Sequence, residues 1–318
     1  MREDVIEITS FNEKLSVERI IGNLGNATGN TILFLGGVHG NETSGIAALH
    51  EVFGQLKKEN KTWSGRAMAI VGNMEASRLG QRYVYKDLNR IWTREIIDDL
   101  HYGRLDTRHT EFAELVAVYK IISELIKTTQ GQLYVVDLHT TSSPTIPFIV
   151  TNNEARCKAF TNHFPMPVIS GLTGFLDGTL LSYINDLGHV GLAYEAGQHN
   201  SHQSFLKHES FIWLSLYHSG ICTDIDQRLI NLHKQTLEEE LVTRNNNFKL
   251  ISRYKIKEDE AFKMNLGYTN FQKIFEGEEL AQNQFGKIKS PYDGFIFMPL
   301  YQSQGDDGFF IVKPEQTE

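Results

Sequence analysis

Side chains able to do chemistry concentrate in four short segments. The first is His39-Gly40-Asn41-Glu42, directly after the apolar run TILFLGG. An imidazole and a carboxylate three residues apart on a loop can converge on one ion, as zinc sites require. The same spacing also serves an ordinary hydrogen-bonded loop. The second segment is Asp137-Leu138-His139, closing the run LYVVDLH. Alternation along a strand puts Asp137 and His139 on the same side. Metal-bound histidines usually give their other N–H to a carboxylate, and Asp137 can do this for His139 or for His39. The third is Glu195, in LAYEAG. A carboxylate at the end of an apolar strand is costly to bury without a task. Two histidines and one glutamate leave a fourth zinc position open for water, and Glu195 then fits as the base beside that water. A salt bridge to an arginine is the alternative. The fourth holds Arg82 and, further on, Asn89 and Arg90. Arginine can fork onto a carboxylate and asparagine can add a donor. Arg82 can instead polarise a scissile carbonyl. Plain surface charge is the competing reading.

Elements must bring these segments together. The runs at 31–37, 67–71, 133–138, 147–150 and 190–194 are apolar and bounded by turn residues, which predicts strands buried on both faces of a mainly parallel sheet. Helical spacing appears between them. Ile46, Leu49, Val52, Phe53 and Leu56 share one face of a helix over 43–56, and Phe112, Leu115, Tyr119, Ile122, Leu125 and Ile126 one face of a helix over 111–128. Residues 180–187 and 204–217 also read as helical. Alternating strands and helices predict an α/β domain with helices on both sides of its sheet. In such sheets ligands bind at the carboxyl ends of the strands, where His39, His139 and Glu195 all fall. After about residue 245 the texture becomes glycine-punctuated, with strands at 248–257 and 295–300. The expected division is a metal-hydrolase α/β domain over 1–244 and a small all-β domain over 245–318, bridged by a charged helix over 221–241.

The bulk numbers agree. The chain has 318 residues, 41% hydrophobic and 22% charged, enough for a sizeable core. Its net charge of −8 disfavours nucleic acid, which needs a basic face. No run reaches the ~18 apolar residues of a membrane span, and residues 1–20 lack the apolar core of a signal peptide. The two cysteines, Cys157 and Cys222, read as buried structural thiols in a reducing cytoplasm. Association into a homo-oligomer stays open.

Taken together, GGVHGNE, RYVYKDLNR, VVDLHTT and YEAGQ resemble, in that order, the motifs of the succinylglutamate desuccinylase/aspartoacylase family, a branch of the zinc-carboxypeptidase-like hydrolases. The resemblance spans about residues 31–199. It implies a zinc-carboxypeptidase-like three-layer α/β/α domain with a smaller C-terminal β domain narrowing access to the site. It implies one Zn²⁺ per chain on His39, Glu42 and His139, with Glu195 as catalytic glutamate, Arg82 as stabiliser of the oxyanion, and Asn89 and Arg90 as the substrate carboxylate clamp. The implied activity is zinc-dependent hydrolysis of the amide of an N-acyl amino acid or similar small carboxylate-bearing substrate. A carboxypeptidase is the nearest rival, and a zinc-dependent binding protein without turnover the rival from another class. Aspartoacylases carry a substrate-binding arginine ten residues before the catalytic glutamate. Asn185 stands there, so N-acetylaspartate is expected to be a poor substrate. His199 and His202 read as solvated or supporting histidines.

Overall fold

In the computed structural model, which describes residues 5–59, 61–172, 174–239 and 247–315, eleven strands form one mixed sheet. Four parallel strands make its centre, in the order Val190–Gln198, Leu133–Thr141, Thr31–Gly36, Arg66–Val71. Alternation along Thr31–Gly36 feeds two separate cores. Ile32 and Phe34 pack with Leu49, Val52 and Phe53 of helix Ser44–Lys58 and with Phe211 and Leu214 of helix His202–His218. Leu33 and Leu35 pack against the other face, with Leu115, Val118 and Ile122 of helix Thr110–Thr128 and Ile184 of helix Leu180–Asp186. The result is the expected α/β/α layering, and it explains why these strands lack a polar face.

The sheet is less parallel than its centre suggests. Ten pairings join the eleven strands, and five of them are antiparallel. Phe148–Val150 runs against Val190–Gln198, and Ile20–Gly25 against Arg66–Val71. Apolar composition marks a strand as buried but carries no information on its direction, which explains the difference.

Residues 247–315 contain strands and turns and, as described, no helix. Four of their strands continue the main sheet, because Phe248–Lys255 pairs in parallel with Val168–Ser170. Lys263–Met264, Glu279–Asn283 and Gly286–Lys289 form a separate three-stranded sheet. The expected boundary at 244/245 lies outside the described residues. The helix read over 221–241 is found as Gln227–Glu238, and residues 240 and 241 likewise lie outside the described set. The strand expected over 295–300 stops at Phe297, where Met298 adopts a left-handed φ of 49° and turns the chain. Among the described residues, no helix is long and apolar enough to cross a membrane.

Helix packing buries His233 and half-buries His218, and both are held toward the neutral form. His233 lies against Trp213, with its Nδ1 3.0 Å from the Ser210 hydroxyl. Burial pushes it down to about 4. His218, stacked on His163 at 4.3 Å, is also pushed down to about 4, first by burial and then by His163. A folded-state value below the ordinary ~6.5 means that the unfolded chain binds protons more readily. Stability from these groups is full above pH ~6.5 and is lost as pH falls toward 4. The melting temperature should therefore fall by several degrees between pH 7 and pH 5. The fall should shrink in His233→Gln, and an unchanged slope in that variant would remove His233 from the account.

Candidate metal centre

Strand register brings the four segments to one place. Asp137 pairs with Leu35, and His139 with Glu195, at the carboxyl ends of three adjacent central strands. Beyond Thr31–Gly36 the chain turns through Gly37, at φ 66°, a conformation that favours glycine. It then presses Gly40 against the helix Met74–Leu79, where a Cβ would lie 2.1 Å from the Ala76 carbonyl carbon. Gly40 N–H donates to Arg82 O at 3.1 Å and Glu42 N–H to His39 O at 3.1 Å. Helix Ser44–Lys58 follows at once, so His39 and Glu42 sit on a short loop fixed at both ends.

His39, Glu42 and His139 are all buried, with one ligand atom of each lying within 4.8 Å of the others. His39 Nδ1 is 2.9 Å from Glu42 Oε1, and His139 Nδ1 is 3.0 Å from Glu42 Oε2. The far nitrogens face other carboxylates. His39 Nε2 lies 3.1 Å from Asp87 Oδ1, and His139 Nε2 lies 2.7 Å from Asp137 Oδ2. The open question of which histidine Asp137 serves is thus answered by geometry. Each imidazole lies between Glu42 and a further carboxylate. When the outer nitrogen carries the ring proton, the inner Nδ1 is free to ligate a cation, and a His₂Glu set suits a metal with an open coordination position. The cluster can hold a metal ion.

Charge balance holds the surroundings in place. Burial pushes the Glu42 carboxyl up, but His39 and His139 outweigh it and hold it well below the usual range. Burial also opposes ionisation of Asp87, yet His39 and Arg82 keep its carboxyl low. His139 is raised well above its ordinary value because Asp137 and Glu42 outweigh its burial. Glu195 goes the other way. Burial drives it well above the carboxylate range, and His139 only partly offsets this. Its Oε2 is buried with no hydrogen-bond partner, so the alternative reading, a salt bridge to an arginine, does not satisfy that oxygen.

The remaining expected residues line the same pocket. The Arg82 guanidinium donates to Asp87 Oδ2 at 3.0 Å and lies 3.5 Å from Glu42 Oε1. Asn89 accepts from Leu180 N–H at 2.9 Å, and its amide nitrogen lies 3.4 Å from both Asp137 Oδ2 and His139 Nε2. Arg90 donates to Asp307 Oδ2 at 2.7 Å. His199 joins the pocket, 2.7 Å from the Thr140 hydroxyl and 3.2 Å from Gln302 Oε1. His202 does not; it is exposed beside Phe11 and Phe205. Asn185 faces away from the pocket, donating to Asn152 Oδ1 and to Gly191 O at 2.5 and 2.9 Å. Cys157 and Cys222 are free and buried.

Several contributors have no role assigned from the sequence, although Asp87 lies within the segment RYVYKDLNR. Asp87 orients both His39 and Arg82. Glu111, buried on helix Thr110–Thr128, accepts from the backbone N–H groups of Val84, Tyr85 and Lys86 at 2.7, 2.9 and 3.1 Å. It thereby anchors the loop that carries Arg82 and Asp87. The C-terminal segment after Met298 roofs the pocket, with Gln302 accepting from Asn41 and Gln304 accepting from Arg82 N–H. An acidic residue at a helix start and glutamines in a turn are too common to be singled out without the fold.

The family model for the succinylglutamate desuccinylase/aspartoacylase catalytic domain matches residues 28–207. The chain is 28% identical over 109 residues to a succinylglutamate desuccinylase of Serratia proteamaculans, covering 34% of this chain and 31% of that protein. It is 33% identical over 91 residues to a probable aspartoacylase of Prochlorococcus marinus, covering 28% of each. The chain thus matches about a third, or less, of the length of these curated relatives. The crystal structure of a succinylglutamate desuccinylase from Vibrio cholerae aligns with a TM-score of 0.66 and 17% identity over 91% of this chain and 82% of that one. Murine aminoacylase 3 aligns with a TM-score of 0.59 and 16% identity, over 91% and 96%. At such identities the likeness is one of fold.

Gly40 gives a direct test of how the loop positions its ligands. In Gly40→Ala the new methyl would meet the Ala76 backbone, and overpacking of this kind costs roughly 1–3 kcal/mol. The melting temperature should drop, and divalent-metal uptake, measured by titration, should weaken with it. Wild-type values for both would show that the loop does not depend on that contact.

Proposed function

The chain belongs to the succinylglutamate desuccinylase/aspartoacylase family, and from that premise we propose that it is a zinc-dependent amidohydrolase that removes the acyl group from an N-acyl amino acid. One observation carries the reading. Two imidazoles and a carboxylate bring one ligand atom each within 4.8 Å of the others, each imidazole backed by a further carboxylate, with the unpartnered oxygen of Glu195 in the same pocket.

Zinc would be held by His39, Glu42 and His139, and would supply Lewis acidity toward a carbonyl and toward water. The protein's own residues do the rest in this proposal. Glu195, held in a buried place that makes its carboxylate a strong base, takes a proton from the attacking water as the new C–O bond forms. Positive charge at the ligand cluster favours the ionised form it needs. The Arg82 guanidinium, 3.5 Å from Glu42 Oε1, faces the charge that develops on the carbonyl oxygen. Glu195 then passes the proton to the nitrogen as the C–N bond breaks. Asn89 and Arg90 receive the substrate carboxylate and hold the amide in place. The roof after Met298, part of the proposed C-terminal unit over 245–318, favours a small substrate over a peptide chain.

Two variants test the proposal. Metal analysis of purified wild type should give about one zinc per chain, and His39→Ala should lose most of it. Glu195→Gln should keep zinc content and melting temperature near wild type, while turnover of N-acyl amino acids falls by roughly 10²–10⁴. Activity within a few-fold of wild type in Glu195→Gln would require another base. Full zinc occupancy in His39→Ala would dissolve the ligand assignment.

A further inference from the structure

The pocket that contains the polar cluster continues into an apolar chamber. Its wall includes Val150, Leu172, Leu181, Ala193, Leu250 and Phe310. All six belong to one hydrophobic cluster beside the seam between Phe248–Lys255 and Val168–Ser170. Phe148, Ile169 and Val312 of that cluster are sealed and line no part of the pocket, whereas the six wall residues border it.

The cationic arginines of the same pocket are already paired within the protein. Among the described residues lining it, the guanidinium groups are Arg82 and Arg90. Arg82 is paired with Asp87, and Arg90, the group proposed to receive the first substrate carboxylate, already shares its charge with Asp307, leaving no further arginine among these lining residues for a second. Asn185, on helix Leu180–Asp186, is committed to Asn152 and Gly191 and lines no part of the chamber. A second substrate carboxylate pushed into this wall would be desolvated without a partner, which is strongly unfavourable. A hydrocarbon arm would bury its surface there at no such penalty.

We infer that the site selects substrates carrying one carboxylate and a hydrocarbon arm, with the arm filling this chamber; the inference rests on the deacylase reading and names its substrate class. The arm can belong to the acyl group or to the amino-acid side chain, and the chemistry recognised is the same.

The test uses the full, zinc-loaded chain and two series. One varies the acyl group on glycine through acetyl, butanoyl, hexanoyl and octanoyl. The other keeps acetyl and varies the amino acid through glycine, leucine and phenylalanine. N-succinylglycine and N-acetylaspartate serve as dicarboxylate comparators. Burial of one methylene corresponds to about a fourfold gain. In the series that fills the chamber, kcat/KM should rise on the order of 100-fold from acetyl to hexanoyl, or comparably from glycine to leucine. The dicarboxylates should fall below their apolar counterparts of equal length. Flat profiles in both series, or dicarboxylates as the best substrates, would overturn the inference while leaving the deacylase reading intact. If nothing is hydrolysed, that reading fails, and calorimetric binding of N-hexanoylglycine against N-acetylglycine decides the chamber. Tighter binding of the hexanoyl compound supports it, and equal binding overturns it. Leu181→Asn should flatten the rising profile. Leu176→Asn, at a half-buried position of the same pocket, gives the second reading should Leu181→Asn fail to fold. A slope unchanged in the folded variants would also overturn the inference.

Discussion

Glu42 is the residue on which the site is organised. Its two oxygens meet the Nδ1 atoms of His39 and His139, and Oε2 also accepts the Thr140 backbone N–H at 2.8 Å. A buried carboxylate in this setting is held only if every neighbour supplies positive charge or a donor. The surrounding structure meets that demand in layers. Asp87 and Asp137 fix the far nitrogens of the rings, Arg82 neutralises Asp87 and approaches Glu42, and Glu111 anchors the loop from which Arg82 and Asp87 project. The neighbouring His208 shows the same discipline. Burial pushes it down to about 3, so it stays neutral and donates from Nε2 to the His139 carbonyl while the Ser44 hydroxyl faces its Nδ1.

The C-terminal strands extend this organisation beyond the metal cluster. They do not stand apart from the central sheet but continue it through the pairing of Phe248–Lys255 with Val168–Ser170. That seam brings Leu250, Phe297 and Phe310 next to Val150, Ala193 and Leu181. It also brings Asp307 to Arg90 and Arg253, tying the polar end of the pocket to the same strands that wall its apolar end. A single architectural feature thus shapes both halves of the pocket. Met298, held at φ 49° where non-glycine residues are uncommon, turns the chain from the seam into the roof.

Much of this was legible in local sequence. Apolar runs without a polar face marked the central strands, and the 3.6-residue period marked the helices that cover them, within a few residues of the observed limits. The His-x-x-Glu loop and the Asp-x-His strand end marked side chains able to converge, because each pair is fixed by a few bonds of local backbone. Where signals were local, the reading carried over to three dimensions.

Other features depended on partners far apart in the chain. Strand direction at the edges, the Asp87 contact with His39 across 48 residues, the roof formed by Gln302 and Gln304, and the pairing of Arg90 with Asp307 across 217 residues all belong to this class. The sequence by itself determined which side chains could bind a metal and which segments would be buried strands, since both follow from residue type and short-range period. Only the tertiary structure decided that Asn185 is committed to Asn152 and Gly191 outside the pocket and that apolar side chains from six separate places in the chain line the pocket that holds the metal cluster. The physical reason is that burial, charge pairing and enclosure are properties of what packs against a residue, and that neighbour is selected by the fold as a whole.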